Sequence, residues 1–396
     1  MSVVKILPDI YCVGAVDWNV RNFHGHTYTT QKGTTYNAYL LIGEKIALVD
    51  TVLGSFSREL IENIRSIVPL ENIDYVIANH VETDHSGALP EVMKLCPKAK
   101  VLGTKSCKEG LYRHYYKDWD FQVVKTGDTI SLGKRTLTFL EAPMLHWPDS
   151  MFTYCPEEAL LMPNDAFGQH IATSSRFDDE VDQCSLMDEA QKYYANILWP
   201  LSALVLKKIE EVQKLNLPIK IIAPSHGIIW RKDPGKILNA YLSWARNDTR
   251  PKVVIAYETM WGATERMARK IGEGISDCGV SVKLYDVASG DRTEIVSQML
   301  DARGFLFGSS THGNDMLPNI AGFLEFVKGL RPKNRIASSF GSYGWAGGAV
   351  KNIEGIIKEA GIEISGPSLS ARFVPDEGEF RVCYEFGREF AGLVKG

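Results

Sequence analysis

The sequence of 396 residues predicts an α/β protein built from two domains. Three observations support this fold class. Apolar strand-like runs alternate with helical patterns through the first half of the chain, and side chains typical of metal ligands stand where several of these runs end. After a polar stretch that ends in Arg250-Pro251, a second and more regular alternation of strands and helices begins.

Composition excludes several classes of protein. With 45% hydrophobic and 23% charged residues the chain is globular, and a formal net charge of -4 offers no basic surface for nucleic acid. The N-terminus lacks the pattern of a secretory signal, and no apolar run is long enough to cross a membrane, so we expect a cytoplasmic protein without a membrane partner. Seven scattered cysteines without a CxxC pair disfavour disulfides and thiolate-bound metals, so any metal must rest on histidines and carboxylates.

The first half of the chain contains six strand-like runs and clear helical patterns between them. The predicted strands are 45–51, 73–80, 99–104, 136–143, 158–166 and 219–226, and helical spacing of apolar residues marks 57–68 and 202–215. Polar side chains stand at or just past the ends of these strands, namely Asp50, His80, His146, Asp165 and His226. Because open sheets bind ligands at the carboxyl ends of their strands, we expect a functional site there.

We place the domain boundary between residues 250 and 251, which gives domains 1–250 and 251–396. The second domain is predicted to contain strands 253–257, 281–286, 303–308 and 334–341, alternating with helices 264–277, 292–299, 318–329 and 348–360. Regular alternation with short connections predicts a doubly wound parallel sheet.

The segment His80-x-Glu82-x-Asp84-His85 follows an apolar strand and offers imidazole nitrogens and carboxylate oxygens. These donors suit a divalent metal of borderline or hard character. The alternative is a solvated polar turn in which Asp84 or Ser86 caps the next helix. Further along the chain, His146, Asp165 and His226 each follow an apolar strand. In this order and spacing, the seven residues resemble the signature of the metallo-β-lactamase fold, an αββα sandwich with a dinuclear metal site.

One residue separates this chain from the zinc hydrolases of that fold. They resemble HxHxDH, whereas Glu82 replaces the second histidine here, and a carboxylate at that position favours iron over zinc. Joined to a flavodoxin-like second half, the pattern resembles the flavodiiron proteins. The resemblance implies that one iron is held by His80, Glu82 and His146, the other by Asp84, His85 and His226, and that Asp165 bridges them.

Two further residues are expected near the irons on the strength of this resemblance. His24 is expected on the substrate side of the pocket, and Tyr194, or its neighbour Tyr193, is expected to place a phenol over it; core packing is the alternative for either tyrosine. His114 and His170 match no ligand position and are expected to be structural.

Three loops of the second domain predict an FMN site. The first loop, 259–264, leads from a strand into a helix N-terminus, and the amides of such an N-terminus favour binding of a phosphate. This loop lacks the P-loop pattern, so a nucleoside triphosphate is not the expected ligand. Together the loops resemble those of flavodoxins. The expected FMN contacts are Thr259, Met260, Trp261, Gly262, Ala263, Thr264, Thr311, His312, Gly313, Asn314, Ser342, Tyr343, Gly344, Trp345, Ala346 and Gly347. No GxGxxG motif supports a nicotinamide cofactor.

The resemblance implies reduction of dioxygen to water, of nitric oxide to nitrous oxide, or of both, with FMN relaying electrons to the irons. It also implies a head-to-tail homodimer, or a dimer of such dimers, and an external electron donor such as rubredoxin or a reduced deazaflavin. Two alternatives remain open: a dinuclear zinc hydrolase with an accessory flavodoxin domain, and an electron-transfer module with a vestigial metal site.

Overall fold

The computed structural model describes residues 3–396, which group into two compact units. The first unit runs up to Tyr193 and includes Ala203–Leu242, and the second contains Tyr194–Ser202 and Ser243–Gly396. Within the second unit, the indole of Trp199 donates a hydrogen bond of 3.0 Å to Asn247. By this grouping, residues 243–250 and the short segment 194–202 belong with the second unit, whereas the sequence places them in the first domain.

The first unit contains short strands and α-helices, although Ser202 at the start of one helix and residues 243–246 at the end of another group with the second unit. The strands are β1 (Val4–Leu7), β2 (Ile10–Cys12), β3 (Ala15–Asp17), β4 (Asn22–Phe23), β5 (Tyr28–Thr29), β6 (Thr34–Tyr36), β7 (Tyr39–Ile42), β8 (Ile46–Val49), β9 (Tyr75–Ile77), β10 (Lys100–Gly103), β11 (Phe121–Val123), β12 (Thr129–Ser131), β13 (Thr136–Glu141), β14 (Met151–Cys155), β15 (Leu160–Met162) and β16 (Ile221–Ile222). The helices are α1 (Ser57–Arg65), α2 (Thr83–Ser86), α3 (Leu89–Leu95), α4 (Lys105–Tyr115), α5 (Gln183–Tyr193), α6 (Ser202–Lys214) and α7 (Pro234–Arg246).

Two sheets enclose the core of this unit. A seven-stranded sheet has the order β1-β2-β7-β8-β9-β10-β11, and a five-stranded sheet has the order β12-β13-β14-β15-β16. Both sheets contribute to one buried cluster, which contains Val49 and Ile77 from the first sheet and Phe139, Met151 and Leu160 from the second. Each fully buried side chain of this kind contributes roughly 1.5–3 kcal/mol to folding. The arrangement is a β-sandwich flanked by helices.

The second unit is a parallel sheet with helices between its strands. Its elements are β17 (Arg250–Glu258), α8 (Ala263–Asp277), β18 (Ser281–Asp286), α9 (Arg292–Met299), β19 (Ala302–Ser310), α10 (Pro318–Leu330), β20 (Ile336–Tyr343), α11 (Ala349–Glu359), β21 (Glu363–Ile364), β22 (Leu369–Arg372) and α12 (Glu377–Lys395). The order β18-β17-β19-β20-β21, with β22 also paired to β20, is that of the flavodoxin-like doubly wound fold.

The last helix, α12, packs closely against α8. At Gly274 an added Cβ would meet the carbonyl oxygen of Tyr384, and at Gly387 it would meet that of Ile271. The two glycines therefore allow the helix backbones to approach each other, as small residues do at close helix crossings. Sequence patterns did not predict α12, β21 or β22.

The predicted elements agree with the structure best where local pattern alone defines them. Strand β18 and helix α9 have the predicted bounds, 281–286 and 292–299. In the first unit the predicted strands are too long: the run 73–80 is a strand only over Tyr75–Ile77, because the following residues turn away to form a functional loop. Among residues 3–396, no helix combines the length and the apolar character needed to cross a membrane.

Candidate metal and flavin sites

The loop that carries four of the predicted metal ligands begins where β9 ends. This ligand loop, residues 78–86, is held from two sides. A carboxylate oxygen of Asp149 accepts a hydrogen bond from the Val81 amide at 2.7 Å. The hydroxyl of Ser86 donates to the Val81 carbonyl at 2.6 Å and lies 2.7 Å from the hydroxyl of Tyr115. Side chains that are distant in sequence therefore fix the direction in which the loop points its ligands.

The fold brings all seven predicted ligands together in two groups. Within each group the donor atoms lie within 4.8 Å of one another. One group consists of His80, Glu82, His146 and Asp165, and the other of Asp84, His85 and His226. Asp84 and His85 are buried, and α3 begins after Ala88 without a side-chain cap. The alternative of a solvated turn that caps this helix does not fit these observations.

Asp165 lies between the two groups. Its Oδ1 is 3.0 Å from His85 Nε2 and 3.4 Å from His226 Nε2. Its Oδ2 is 3.4 Å from His146 Nε2 and 3.7 Å from His80 Nε2. One carboxylate thus presents one oxygen to each group, which is the arrangement that a bridge between two cations requires.

Glu82 closes the first group and links it to His24. Its Oε2 lies 3.3 Å from Nε2 of both His80 and His146. Its Oε1 lies 3.1 Å from Nε2 of His24, whose side chain is partly exposed. His24 therefore lies at the edge of the cluster, near where the sequence predicts it, and it contacts a predicted ligand rather than joining either ligand group.

The carboxylates of the cluster attract positive charge strongly. Although burial opposes protonation, hydrogen bonds to carboxylates raise the pKa of His80 and of His146 to about 10. Burial likewise opposes protonation of His85, but the adjacent Asp84 and Asp165 raise its pKa to about 9. Without a metal, the histidines of the cluster therefore bind protons, and the positive charge of these protons takes the place of a divalent cation.

Unpartnered buried atoms show that the residues fit a metal. Among residues 3–396, Oδ1 of Asp84 and Oδ2 of Asp165 are buried without a hydrogen-bond partner, as is Nδ1 of His85. Burying a carboxylate oxygen without a partner is costly, and a cation removes this cost. Four imidazoles and three carboxylates form a donor set suited to iron rather than to a soft metal.

Two histidines of the cluster are held from behind by groups that sequence patterns did not identify. Nδ1 of His80 lies 3.0 Å from Oδ2 of Asp149, and Nδ1 of His226 lies 2.6 Å from the carbonyl oxygen of Thr35. When each Nδ1 donates its proton to these acceptors, each Nε2 faces the cluster with its lone pair. The proximity of Asp149 to His146 in the sequence is a signal that could have identified it. The carbonyl of Thr35 has no such signal, because every residue has a backbone carbonyl.

Of the two adjacent tyrosines, Tyr193 lies beside a predicted metal ligand. The ring of Tyr193 is buried with its centroid 6.3 Å from that of His226. The hydroxyl of Tyr194 lies 2.9 Å from that of Ser202, and its ring packs 5.2 Å from that of Trp244. These contacts favour Tyr193 as the phenol beside the ligands, and a catalytic role for Tyr194 stays a prediction. Consecutive residues of a helix point about 100° apart, so the two side chains point in different directions.

His170 packs behind the second ligand group. Its Nδ1 lies 2.7 Å from the hydroxyl of Thr34, and its ring centroid is 4.8 Å from that of His226. Burial, followed by the charge of His226, holds the pKa of His170 well below its ordinary value, so the imidazole is neutral. It joins neither ligand group, in keeping with the structural role expected from the sequence.

The three predicted flavin loops converge at the carboxyl ends of β17, β19 and β20. The buried hydroxyl of Thr264 lies 3.0 Å from that of Ser310 and 2.9 Å from that of Ser342, so one residue from each loop region meets at a single point. Gly262 has a φ of +81° and precedes helix α8, and its amide donates to the hydroxyl of Thr259 at 3.1 Å. The backbone amides at the start of α8, with the helix dipole, favour a phosphate.

The loops enclose a pocket of about 700 Å³, a volume typical of cofactor sites. Twelve predicted residues line it: Met260, Trp261, Ala263, Thr311, His312, Gly313, Asn314, Ser342, Tyr343, Gly344, Trp345 and Ala346. Thr259, Gly262, Thr264 and Gly347 are not among the lining residues. Sequence patterns missed Ser310, Phe373 and Val374, the last two because they follow the unpredicted strand β22. The rings of Trp261 and Trp345 are each 89% exposed and so are free to stack on a planar ligand.

Fold and sites together define a class of protein, a metal-dependent flavoprotein with a β-lactamase-like first unit and a flavodoxin-like second unit. A family model described as ODP family beta lactamase matches residues 34–227, and the flavodoxin model matches residues 255–387.

Relatives narrow this class. The chain is 54% identical over 393 residues to a nitric oxide reductase of Moorella thermoacetica, covering 99% of this chain and 98% of that protein. The structure of rubredoxin oxygen:oxidoreductase from Desulfovibrio gigas matches with a TM-score of 0.97, 38% identity and coverage of 100% and 99% of the two chains. The flavodiiron protein of Giardia intestinalis matches with a TM-score of 0.96, 34% identity and coverage of 100% and 97%.

The chain belongs to the flavodiiron protein family. The predicted fold class, a metallo-β-lactamase-like domain followed by a flavodoxin-like domain, is confirmed by these matches. None of the three relatives carries a hydrolase name, so they give the zinc-hydrolase alternative no support.

Proposed function

We propose that this protein is an oxidoreductase that reduces nitric oxide to nitrous oxide, dioxygen to water, or both, at a diiron site that receives its electrons through FMN. The observation that carries the proposal is the position of Asp165, whose two oxygens face two separate ligand groups. Relatives named for reactions with nitric oxide and with oxygen support the same reaction class.

The ligand assignment follows the two groups. His80, Glu82 and His146 would hold one iron, and Asp84, His85 and His226 the other, with Asp165 between them. When bound, a diiron pair supplies electrons by cycling between ferrous and ferric states, and its hard, carboxylate-rich ligand set favours the ferric state.

Neighbouring side chains would shape the pocket around the irons. The rings of Phe23, Tyr36 and Tyr193 lie 5.6, 6.0 and 6.3 Å from that of His226, so they exclude water from that side. His24 holds Oε1 of Glu82 at 3.1 Å, and through this contact it would orient the carboxylate. The buried phenol of Tyr193 retains its proton, because burial and then the charge of Asp165 raise its pKa well above the ordinary value. It is therefore suited to donate a hydrogen bond.

The flavin pocket would hold FMN, which supplies one or two electrons at a time. Amides at the start of α8 would bind its phosphate, and Trp261 and Trp345 are exposed at the rim, where each could cover a face of the ring. An external protein such as rubredoxin, or a reduced deazaflavin, would reduce this flavin. The name of the Desulfovibrio gigas relative, rubredoxin oxygen:oxidoreductase, supports rubredoxin as the donor.

We also propose a head-to-tail homodimer, or a dimer of such dimers, in which the flavin of one protomer serves the irons of its partner. The proposed location is the cytoplasm, supported by seven scattered cysteines without a CxxC pair. Light scattering across a concentration series would measure the oligomer. A monomer at micromolar concentration would contradict the dimer.

The decisive experiment is metal analysis followed by stopped-flow kinetics. We expect two irons and one FMN per chain, and rapid reoxidation of the anaerobically reduced protein by nitric oxide, by dioxygen, or by both. Two zincs with thioester hydrolysis would overturn the proposal, and so would a reduced, iron-loaded protein that reacts with neither gas. Comparing the two gases in one preparation also determines the preference between them.

A further inference from the structure

A large cavity lies in the first unit. This helix–sheet cavity has a volume of about 570 Å³ and lies between helices α6 and α7 and the five-stranded sheet. Strand alternation explains its position. Met151 of β14 and Leu160 of β15 face the core between the two sheets, whereas the adjacent Phe152 and Leu161 line the cavity on the opposite face.

The buried walls of the cavity are apolar, whereas Gln213, Asn216 and Asn239 line its exposed rim. Val205 and Ile209 of α6 are buried beside Phe152 and Leu161, and Leu238 and Leu242 of α7 also line the cavity. The amine of Lys208, the one charged lining group, is engaged by the carbonyl oxygen of Glu141 and by a carboxylate oxygen of Glu211. Within residues 3–396, no lining residue has a buried polar side-chain atom without a partner. The inner wall therefore offers little to a charged or strongly polar ligand.

The inner wall of the cavity is formed by the segments that carry two predicted iron ligands. Leu145, which lines the cavity, directly precedes His146, and Ala166, another lining residue, directly follows Asp165. Adjacent residues in a chain are separated by at most about 3.8 Å between Cα atoms. The cavity and the metal cluster thus share these two short segments.

The chemistry of this arrangement selects its ligand. Buried apolar walls bind apolar molecules such as xenon, and nitric oxide and dioxygen are small and almost apolar. We propose that the helix–sheet cavity is a binding site for small apolar gases, which concentrates the gaseous substrate behind His146 and Asp165. This inference rests on the proposed function, since it assigns the cavity to the substrate of that reaction.

Xenon tests the binding site independently of iron, flavin and activity. A crystal of the full chain held under xenon pressure should show anomalous density inside the cavity. In Val212→Trp, which adds a large ring to a half-buried lining position of α6, that density should disappear. Leu204→Trp is the matched control, because Leu204 lies on the same helix, is exposed and does not line the cavity. Leu238→Trp fills the cavity from α7 if the first variant fails to fold.

Kinetics then test whether the cavity supplies the irons. In the filled variants we expect kcat/KM for the gas to fall several-fold while kcat and anaerobic flavin reduction stay unchanged, and Leu204→Trp should behave as the parent protein. Absence of xenon from the parent cavity, or an acyl chain found there by mass spectrometry, would overturn the proposal. Unchanged kcat/KM in both filled variants would also overturn it. If the parent protein reduces neither gas, the proposed function fails, and the xenon density still decides whether the cavity binds gases.

Discussion

Nδ1 of His80 lies 3.0 Å from Oδ2 of Asp149, and the same oxygen accepts the amide proton of Val81 at 2.7 Å. Asp149 therefore orients a predicted iron ligand and the backbone of the ligand loop at once. Partners of this kind fix the tautomer of a metal-binding imidazole, and their loss typically lowers metal affinity roughly 10–100-fold.

Asp149→Asn should accordingly weaken iron binding by about that factor, because a neutral amide oxygen accepts these two hydrogen bonds more weakly than the carboxylate does. Iron content after dialysis against a graded chelator measures the effect, with FMN content as an internal reference. Asp120→Asn, at an exposed carboxylate, is the control. Equal iron retention in the two variants would rule out this role for Asp149.

Glu82→His restores the histidine of the zinc hydrolases at the position that most distinguishes this chain. We expect loss of iron, or loss of nitric oxide and dioxygen reduction, because an imidazole removes negative charge from the first ligand group and breaks the contact with His24. Metal analysis and gas-consumption assays check both outcomes. A variant with full iron content and full activity would refute the argument from Glu82.

The two adjacent tyrosines provide a matched pair. Tyr193→Phe should lower the rate of gas reduction, because it removes the phenol beside His226. Tyr194→Phe should leave this rate unchanged and cost about 1 kcal/mol of stability through the lost hydrogen bond to Ser202. Stopped-flow rates and urea unfolding distinguish the two. A larger rate loss in Tyr194→Phe would reverse the assignment.

Thr264→Val should weaken FMN binding without changing iron content. The substitution preserves the size of the side chain but removes the hydroxyl that lies within 3.0 Å of both Ser310 and Ser342, so the three flavin loops lose their common contact. Fluorescence titration of the flavin-free protein with FMN measures the affinity. Ser281→Ala, at an exposed position of β18, serves as control, and equal FMN affinity in the two variants would contradict the prediction.

Binding of ferrous iron to the metal-free protein should release protons from the ligand histidines near pH 7. In that state His80, His85 and His146 have pKa values raised to about 10, 9 and 10, so all three are protonated and a cation must displace their protons. Metal affinity should therefore rise with pH up to about 10. The same shifts stabilise the metal-free fold fully below the ordinary histidine pKa of about 6.5, and this contribution is lost as pH rises through about 9 to 10.

Calorimetry of ferrous loading in two buffers of different ionisation enthalpy counts the released protons. Glu82→Gln should release fewer protons than the parent, because removal of the carboxylate lowers the pKa of His80 and His146. Loading without proton release at pH 7 would show that these histidines are neutral in the metal-free protein.

Much of the fold could be predicted because its signals are local. Apolar periodicity predicted the bounds of β18 and α9, since the periods of strands and helices are visible in residues a few positions apart in the sequence. The C-terminal helix α12 was missed although its pattern is equally local, and β21 and β22 were missed because two to four residues carry too little periodicity to identify a strand.

The identity of the metal site also lay in the sequence, since Glu82 in the HxExDH segment distinguishes the predicted iron site from the zinc hydrolases. Side-chain chemistry belongs to the residue itself, so hard carboxylate donors at the end of β9 favour iron before any packing is known.

Only the tertiary structure decided which atoms meet. Asp149 reaches His80 across 69 residues of sequence, and the packing of α5 places the ring of Tyr193 beside that of His226. The division of the two oxygens of Asp165 between two ligand groups has the same origin. These relationships arise from the packing of two sheets and their helices, which juxtaposes segments that local sequence cannot relate, whereas the donor atoms themselves were specified residue by residue.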